Sequence, residues 1–167
     1  MKIYLVGPTG SGKTSLGQEL AKSLSLDWYD IDNWIEETSQ QPITDIFKTG
    51  EDKFRTLETS ALALLSKKEN CVISTGAGIV LKKANLKILT KSFSIFLDVN
   101  LDEQFKRVGH DSKRPLLNKG DVYNTLIKMR AERDTLYRSV ANHTIDTSGL
   151  SKNQVTQLAI NLIKDVK

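Results

Sequence analysis

The segment Gly7-Pro8-Thr9-Gly10-Ser11-Gly12-Lys13-Thr14 satisfies the spacing G-x-x-x-x-G-K-[ST]. Glycines at these positions let the backbone bend until successive N–H groups point inward around phosphate oxygens. The lysine sets a point charge against β and γ phosphates, and the next hydroxyl can ligate Mg²⁺. Gly7, Gly10, Ser11, Gly12, Lys13, Thr14 and Ser15 are therefore expected to hold ATP, with Lys13 also serving the transfer of its terminal phosphate and Thr14 the metal. A glycine-rich turn with an exposed lysine is the plain alternative. A strand pattern before the loop and a helix pattern after it argue against that.

Downstream, Asp30 and Asp32 stand at alternate positions, so an extended backbone points both the same way. Beside a magnesium–phosphate site, one carboxylate can hold the metal's water shell while a second orients a hydroxyl nucleophile. Asp32 has a simpler alternative, as cap of a helix beginning near Asn33. Thr75-Gly76-Ala77-Gly78 closes another strand pattern, where any tight turn asks for small residues. By spacing alone, Arg55 and Glu58 form an i,i+3 surface pair worth about a few tenths of a kcal/mol. Arg133, amid Arg130, Glu132 and Asp134, reads by itself as a solvated helix charge.

These residues need elements to hold them. Lys2 to Val6, Asp27 to Tyr29, Cys71 to Ser74, Ser92 to Leu97 and His143 to Ile145 read as short strands. Helical spacing recurs between them. Thr14 to Leu24 places Leu16, Leu20, Ala21 and Leu24 on one face, and Glu51 to Ser66 does so with Phe54, Leu57, Ala61, Leu64 and Leu65. Two shorter helical pieces lie between Asp32 and Glu51. Asn100 with Glu103, and Ser151 with Gln154, are capping-box patterns that start two further helices. The last turns Val155, Leu158, Ala159, Leu162 and Ile163 inward, and Val122 to Val140 is a long, charged helix. Gly109 to Asp121, rich in charge with Gly, Pro and Asn, reads as an excursion and a mobile lid. The alternation predicts a three-layer α/β/α fold on a five-stranded parallel sheet, in which ligands sit at the carboxyl ends of the strands. The chemical residues cluster there, at Gly7–Thr14, Asp30/Asp32 and Gly76–Gly78.

The 167 residues, 39% hydrophobic and 26% charged, suit one domain with a proper core. No apolar run reaches the roughly 20 residues of a membrane span, and no secretory leader is legible. The net charge of +4 comes from scattered basic residues without an aromatic-flanked stripe, so nucleic acid is not an expected partner. A single cysteine, Cys71, allows no internal disulfide and fits a reducing cytoplasm, while the lack of an obvious exposed apolar helix face favours a monomer. Cys71 reads as packing, and His110 and His143 lack partners at zinc-ligand spacing.

Read in order, the phosphate loop, Asp30-Ile31-Asp32, Phe54-Arg55 with Glu58, Gly76-Ala77-Gly78, Arg114-Pro115-Leu116-Leu117, and Arg133 ahead of Leu136-Tyr137 resemble the shikimate kinase family over nearly the whole chain. That family has a nucleoside-monophosphate-kinase-like P-loop fold and phosphorylates the 3-hydroxyl of shikimate from Mg-ATP, on the way to chorismate and the aromatic amino acids. The resemblance implies a single kinase domain, with a substrate-binding helical region at about 32–60 and a lid at about 109–121. It implies that Asp30 helps hold Mg²⁺ and that Asp32 takes the substrate hydroxyl. Arg55 and Arg133 would grip the substrate carboxylate, with Gly76, Ala77 and Gly78 lining the substrate. Arg114 would meet the transferring phosphoryl group, and Arg107 would stack on adenine. Ala77 departs from the family's usual triple glycine but keeps the backbone N–H. A gluconate-type or nucleoside-monophosphate kinase, and an ATP-binding regulatory module without turnover, remain as other readings.

Overall fold

The computed structural model describes residues 1–109, 115–117 and 120–164. Five strands, β1 (Lys2–Val6), β2 (Asp27–Asp30), β3 (Cys71–Ser74), β4 (Phe93–Asp98) and β5 (His143–Asp146), form one sheet in the order β2-β3-β1-β4-β5. Every neighbouring pair is parallel. Successive residues of β1 explain the layering. Ile3 and Leu5 face one core and Tyr4 and Val6 the other, so both faces of the sheet must be covered.

On the Ile3/Leu5 side lie α1 (Lys13–Leu24) and α8 (Lys152–Lys164), contributing Leu16, Leu20, Val155, Ala159 and Ile163. The opposite face packs against α2 (Ile31–Ser39), α3 (Ile43–Lys48), α4 (Glu51–Leu65), α5 (Lys83–Leu89) and α7 (Val122–Val140), through residues such as Ile35, Ile46, Phe54, Leu62 and Tyr137. Between β4 and α7 runs α6 (Leu101–Val108), whose start is set by the Asn100 side chain accepting the Glu103 N–H. The Ser151/Gln154 box is reciprocal, at 2.8 and 3.3 Å.

Several expectations change. Leu64 and Leu158, expected inward, are 54% and 44% exposed, whereas Leu62 is fully buried. On α4 the inward face runs through Phe54, Arg55, Glu58, Ala61, Leu62 and Leu65, with Leu57 packed at its edge, so two charged residues share the stripe and Leu64 is left outside it. The short turn Ile79–Leu81 and α5 lie in a segment for which no element was predicted. Among the described residues no helix is long and apolar enough to cross a membrane.

A cavity between the phosphate loop and a buried arginine pair

β1 lies between β3 and β4, so consecutive connections diverge at its carboxyl end and leave a crevice there. The loop after β1 fills its floor. Gly10 and Gly12 have φ of +78° and +94°, backbone that L side chains rarely adopt. The bend delivers the chain into the first turn of α1, whose free N–H groups and positive dipole end favour phosphate. Lys13 is buried, and its ammonium donates to the carbonyls of Gly7 and Pro8 at 2.8 Å each. Behind it, the Ser74 hydroxyl donates to the Lys13 carbonyl at 3.0 Å and accepts from Trp28 Nε1 at 3.1 Å, tying the loop to β3 and β2.

Asp30 ends β2 and caps α2. Its Oδ1 accepts the N–H groups of Asp32 and Asn33 at 3.0 and 3.2 Å, and its Oδ2 accepts the Thr14 hydroxyl at 2.8 Å. The capping alternative therefore belongs to Asp30, and Asp32 is left within the first turn of the helix. Thr14 and Asp30 together present hard oxygens at the loop's mouth, the donor type that Mg²⁺ takes.

Asp32 Oδ1 is sealed from solvent with no hydrogen-bond partner, and so is Glu58 Oε1. Both oxygens face Gly76, where a Cβ would lie 2.5 Å from Glu58 Oε1 and 3.0 Å from Asp32 Oδ1. Burial, then the neighbouring charges of Asp30 and Glu58, push the Asp32 carboxyl up to about 7, against the pull of Lys13 and Arg55. Burial likewise raises Glu58, with Arg55 opposing.

Arg55 is no surface residue. Its side chain is 5% exposed and that of Glu58 0%, with Nη1 to Oε2 at 2.9 Å, while Nε and Nη2 donate to Glu51 Oε1 at 3.1 and 3.0 Å. Its guanidinium lies flat against Gly78, so any side chain there would collide with it. Arg133 is also buried, with Nε on Glu132 Oε2 at 3.2 Å, and its charge reaches Glu58. One turn further along α7, the Tyr137 hydroxyl donates to the Ala77 carbonyl. Ala77 does not have positive φ. The glycine pattern is thus kept at the two positions where a Cβ would displace the Glu58 carboxylate or the Arg55 guanidinium, and relaxed between them.

A cavity of about 960 Å³ joins these groups. Gly10, Gly12, Lys13, Thr14 and Ser15 line one end, and Asp32, Arg55, Glu58, Gly76, Ala77, Gly78 and Arg133 the other, with Asp30 between and Pro115 to Leu117 at the edge. Arg107 faces an adjoining cavity of about 380 Å³ with Thr147, Leu150, Lys152 and Val155. Its guanidinium donates to the Gly10 carbonyl at 3.2 Å and to Thr147 Oγ1 and O at 3.1 and 3.0 Å. Arg114 and His110, with the rest of 110–114 and 118–119 of the expected lid, lie outside the described residues.

Sequence reasoning gave no role to Tyr137, although it stood in the quoted motif, and passed over Gln104, Lys152 and Asp98. Tyr137 stands one helical turn beyond Arg133, a spacing that could have marked it. Gln104 donates to the Thr9 carbonyl at 2.9 Å, Lys152 lines both cavities, and Asp98 ends β4. Nothing in their spacing singles those three out.

A phosphate loop at the switch point of a parallel sheet, sharing one cavity with buried carboxylates and arginines, defines a P-loop kinase of a small molecule. A family model described as shikimate kinase matches residues 9–164. The shikimate kinase of Francisella tularensis subsp. novicida (strain U112) is 36% identical over 98% of this chain and 95% of its own length. The structure of shikimate kinase from Acinetobacter baumannii in complex with shikimate superposes with a TM-score of 0.96 at 35% identity, covering 99% of this chain and 94% of that one. Deoxyadenosine kinase from M. mycoides shares the fold alone, with a TM-score of 0.64 at 18% identity. The chain belongs to the shikimate kinase family.

Proposed function

We propose that this chain transfers the γ-phosphate of ATP to the 3-hydroxyl of shikimate, giving shikimate 3-phosphate and ADP. The observation that carries this reading is the single cavity lined by the phosphate loop and by Asp32, Arg55 and Arg133. Two guanidinium forks suit a planar carboxylate, and a carboxyl with a pKa near 7 suits a hydroxyl that must lose a proton at neutral pH.

In this reading the N–H groups of Gly10 to Ser15 wrap the phosphates beside Gly7, and Arg107 lies against the adenine. Lys13 exchanges its loop carbonyls for β- and γ-phosphate oxygens. Thr14 and Asp30 would hold Mg²⁺, which would draw charge from the phosphates. Arg55, positioned by Glu58, and Arg133 grip the acceptor's carboxylate, while Gly76 to Gly78 form the wall beside its ring. That grip points the hydroxyl at Asp32. The hydroxyl oxygen attacks the γ-phosphorus in line, and the bond to the β–γ bridging oxygen breaks, so ADP leaves with that electron pair. Asp32 accepts the proton as the transfer proceeds; positioning supplies more of the acceleration than early deprotonation does. Arg114 is assigned to the transferring phosphoryl group on the family's pattern alone.

We place the whole chain in one catalytic domain, with about 32–60 as the acceptor-binding region. It acts as a monomer, since every group named comes from one chain, and in the cytoplasm, where a buried free Cys71 and an ATP supply are at home. The test is ADP release from Mg-ATP with shikimate, gluconate or a nucleoside monophosphate. Stimulation by shikimate alone is expected, and equal or greater stimulation by another acceptor overturns the assignment.

A further inference from the structure

Outside the cavity, one charged cluster is used by nothing above. Asp98 ends β4, and its carboxylate reaches two arginines of α7: Oδ1 accepts from Arg130 Nη2 at 3.1 Å and Oδ2 from Arg138 Nη2 at 2.9 Å. The three side chains are 17%, 19% and 55% exposed, so the Arg130 contact is largely shielded from water. Arg130 also donates to the Val99 carbonyl at 2.6 Å and pairs with Asp134 at 3.0 Å. Arg130 and Asp134 bracket Arg133 within one turn of α7.

The main chain of Asp98 faces the other ligand. Its carbonyl accepts the Thr147 N–H and the Thr147 hydroxyl, both at 2.9 Å, and Thr147 in turn carries the Arg107 guanidinium. One residue therefore binds α7 through its side chain and the Arg107 platform through its backbone. A small void lined by Thr9, Ala77, Arg133 and Asp134 lies along the same seam, and the buried Asp134 Oδ1 there has no partner. Side-chain packing of Met129 and Tyr137 also lines this seam, so the directed contacts of Asp98 add to that packing in placing Arg133.

We infer that Asp98 is a positioning residue for the acceptor: by holding Arg130 and Arg138, it fixes how α7 presents Arg133 across the cavity. This rests on the assignment of Arg133 to the acceptor carboxylate made above. An aliphatic residue at position 98 would leave α7 attached through Tyr137 and its apolar face, free to shift by the fraction of an ångström to which a guanidinium–carboxylate fork is sensitive.

The test is a double-mutant cycle on full-length protein, with Asp98→Ala and Arg133→Lys singly and together, read as KM for shikimate, KM for ATP and kcat. Asp98→Ala is expected to raise KM for shikimate on the order of tenfold while KM for ATP stays within about twofold, because the backbone contacts to Thr147 survive. The double variant should fall short of the product of the single effects by about threefold or more, since the lysine has already lost the geometry that Asp98 maintains. Asp98→Asn, which keeps the shape and one acceptor oxygen, should lie between Asp98→Ala and wild type and guards against a folding defect in the alanine variant. Multiplicative effects, or a lowered Tm with unchanged KM for shikimate, overturn the inference while leaving the kinase reading intact. A wild type indifferent to shikimate sinks the kinase reading, and this inference with it.

Discussion

Asp32 carries an unfavourable position for the sake of the chemistry proposed for it. Its Oδ1 is buried without a partner, beside the carboxyls of Asp30 and Glu58, and its pKa is pushed up to about 7. The consequences for stability and activity have opposite signs. The folded chain binds this proton more tightly than the unfolded one, so the contribution to stability is full below pH 3.8 and is lost as pH rises through about 7. Activity should follow the ionised form, with kcat/KM for shikimate climbing from acid to a plateau above pH of about 7. Asp32→Asn is accordingly expected to reduce kcat by about 10²-fold or more. It should also raise stability above neutral pH by on the order of 1 kcal/mol, about 2–4 °C in Tm for a chain of this size. Turnover and thermal melts at pH 8 check both; a variant less stable than wild type at that pH contradicts the buried, uncompensated carboxylate.

α4 shows what a helix gives up to serve a cavity. Its inward stripe holds Phe54, Ala61, Leu62 and Leu65, but two positions go to Arg55 and Glu58. Removing one partner of such a buried pair costs about 3–5 kcal/mol, because the remaining charge is left unpaired. The spacing that made Leu64 look buried is the same spacing that puts Leu62 inside, and the structure separates them completely. Leu62→Ala should cost about 2–5 kcal/mol through lost burial and a residual cavity, whereas Leu64→Ala, at 54% exposure, should fall within about 0.5 kcal/mol of wild type. Urea unfolding of the two variants, with m-values compared, decides it. Similar losses in both would mean that the helix is rotated about its axis.

At the scale of the molecule, the sheet order brings the ends of β1, β2 and β3 together, so that Lys13, Asp32 and Gly76 meet although they lie far apart in the chain. A cavity built this way from several elements binds only the folded state, and its ligands should stabilise the whole chain. Shikimate at 100 times its Kd is expected to add about 2.7 kcal/mol, and gluconate at the same concentration much less. Differential scanning calorimetry reads this without turnover, so it tests binding separately from transfer. An unchanged Tm with saturating shikimate would remove the acceptor from this cavity.

The sequence by itself determined the strands, most helices, the phosphate loop and the fold class, because these follow from local periodicity and from backbone that only glycine adopts readily. It also showed, through ordered motifs, which residues resemble a known acceptor site. It did not determine that Arg55 and Glu58 are buried: an i,i+3 pair looks the same in solvent and in a cavity, and the loop after β3, with Gly76 and Gly78 against the pair, is distant in sequence. Nor did it determine that Asp30 caps α2 and frees Asp32, since both are competent caps and the choice depends on Thr14 reaching Asp30 from another element. Asp98 and Gln104 were silent for the same reason, and so was the contact that Tyr137 makes with Ala77. Their partners stand tens of residues away, and no spacing along the chain encodes a contact that exists only when the layers close.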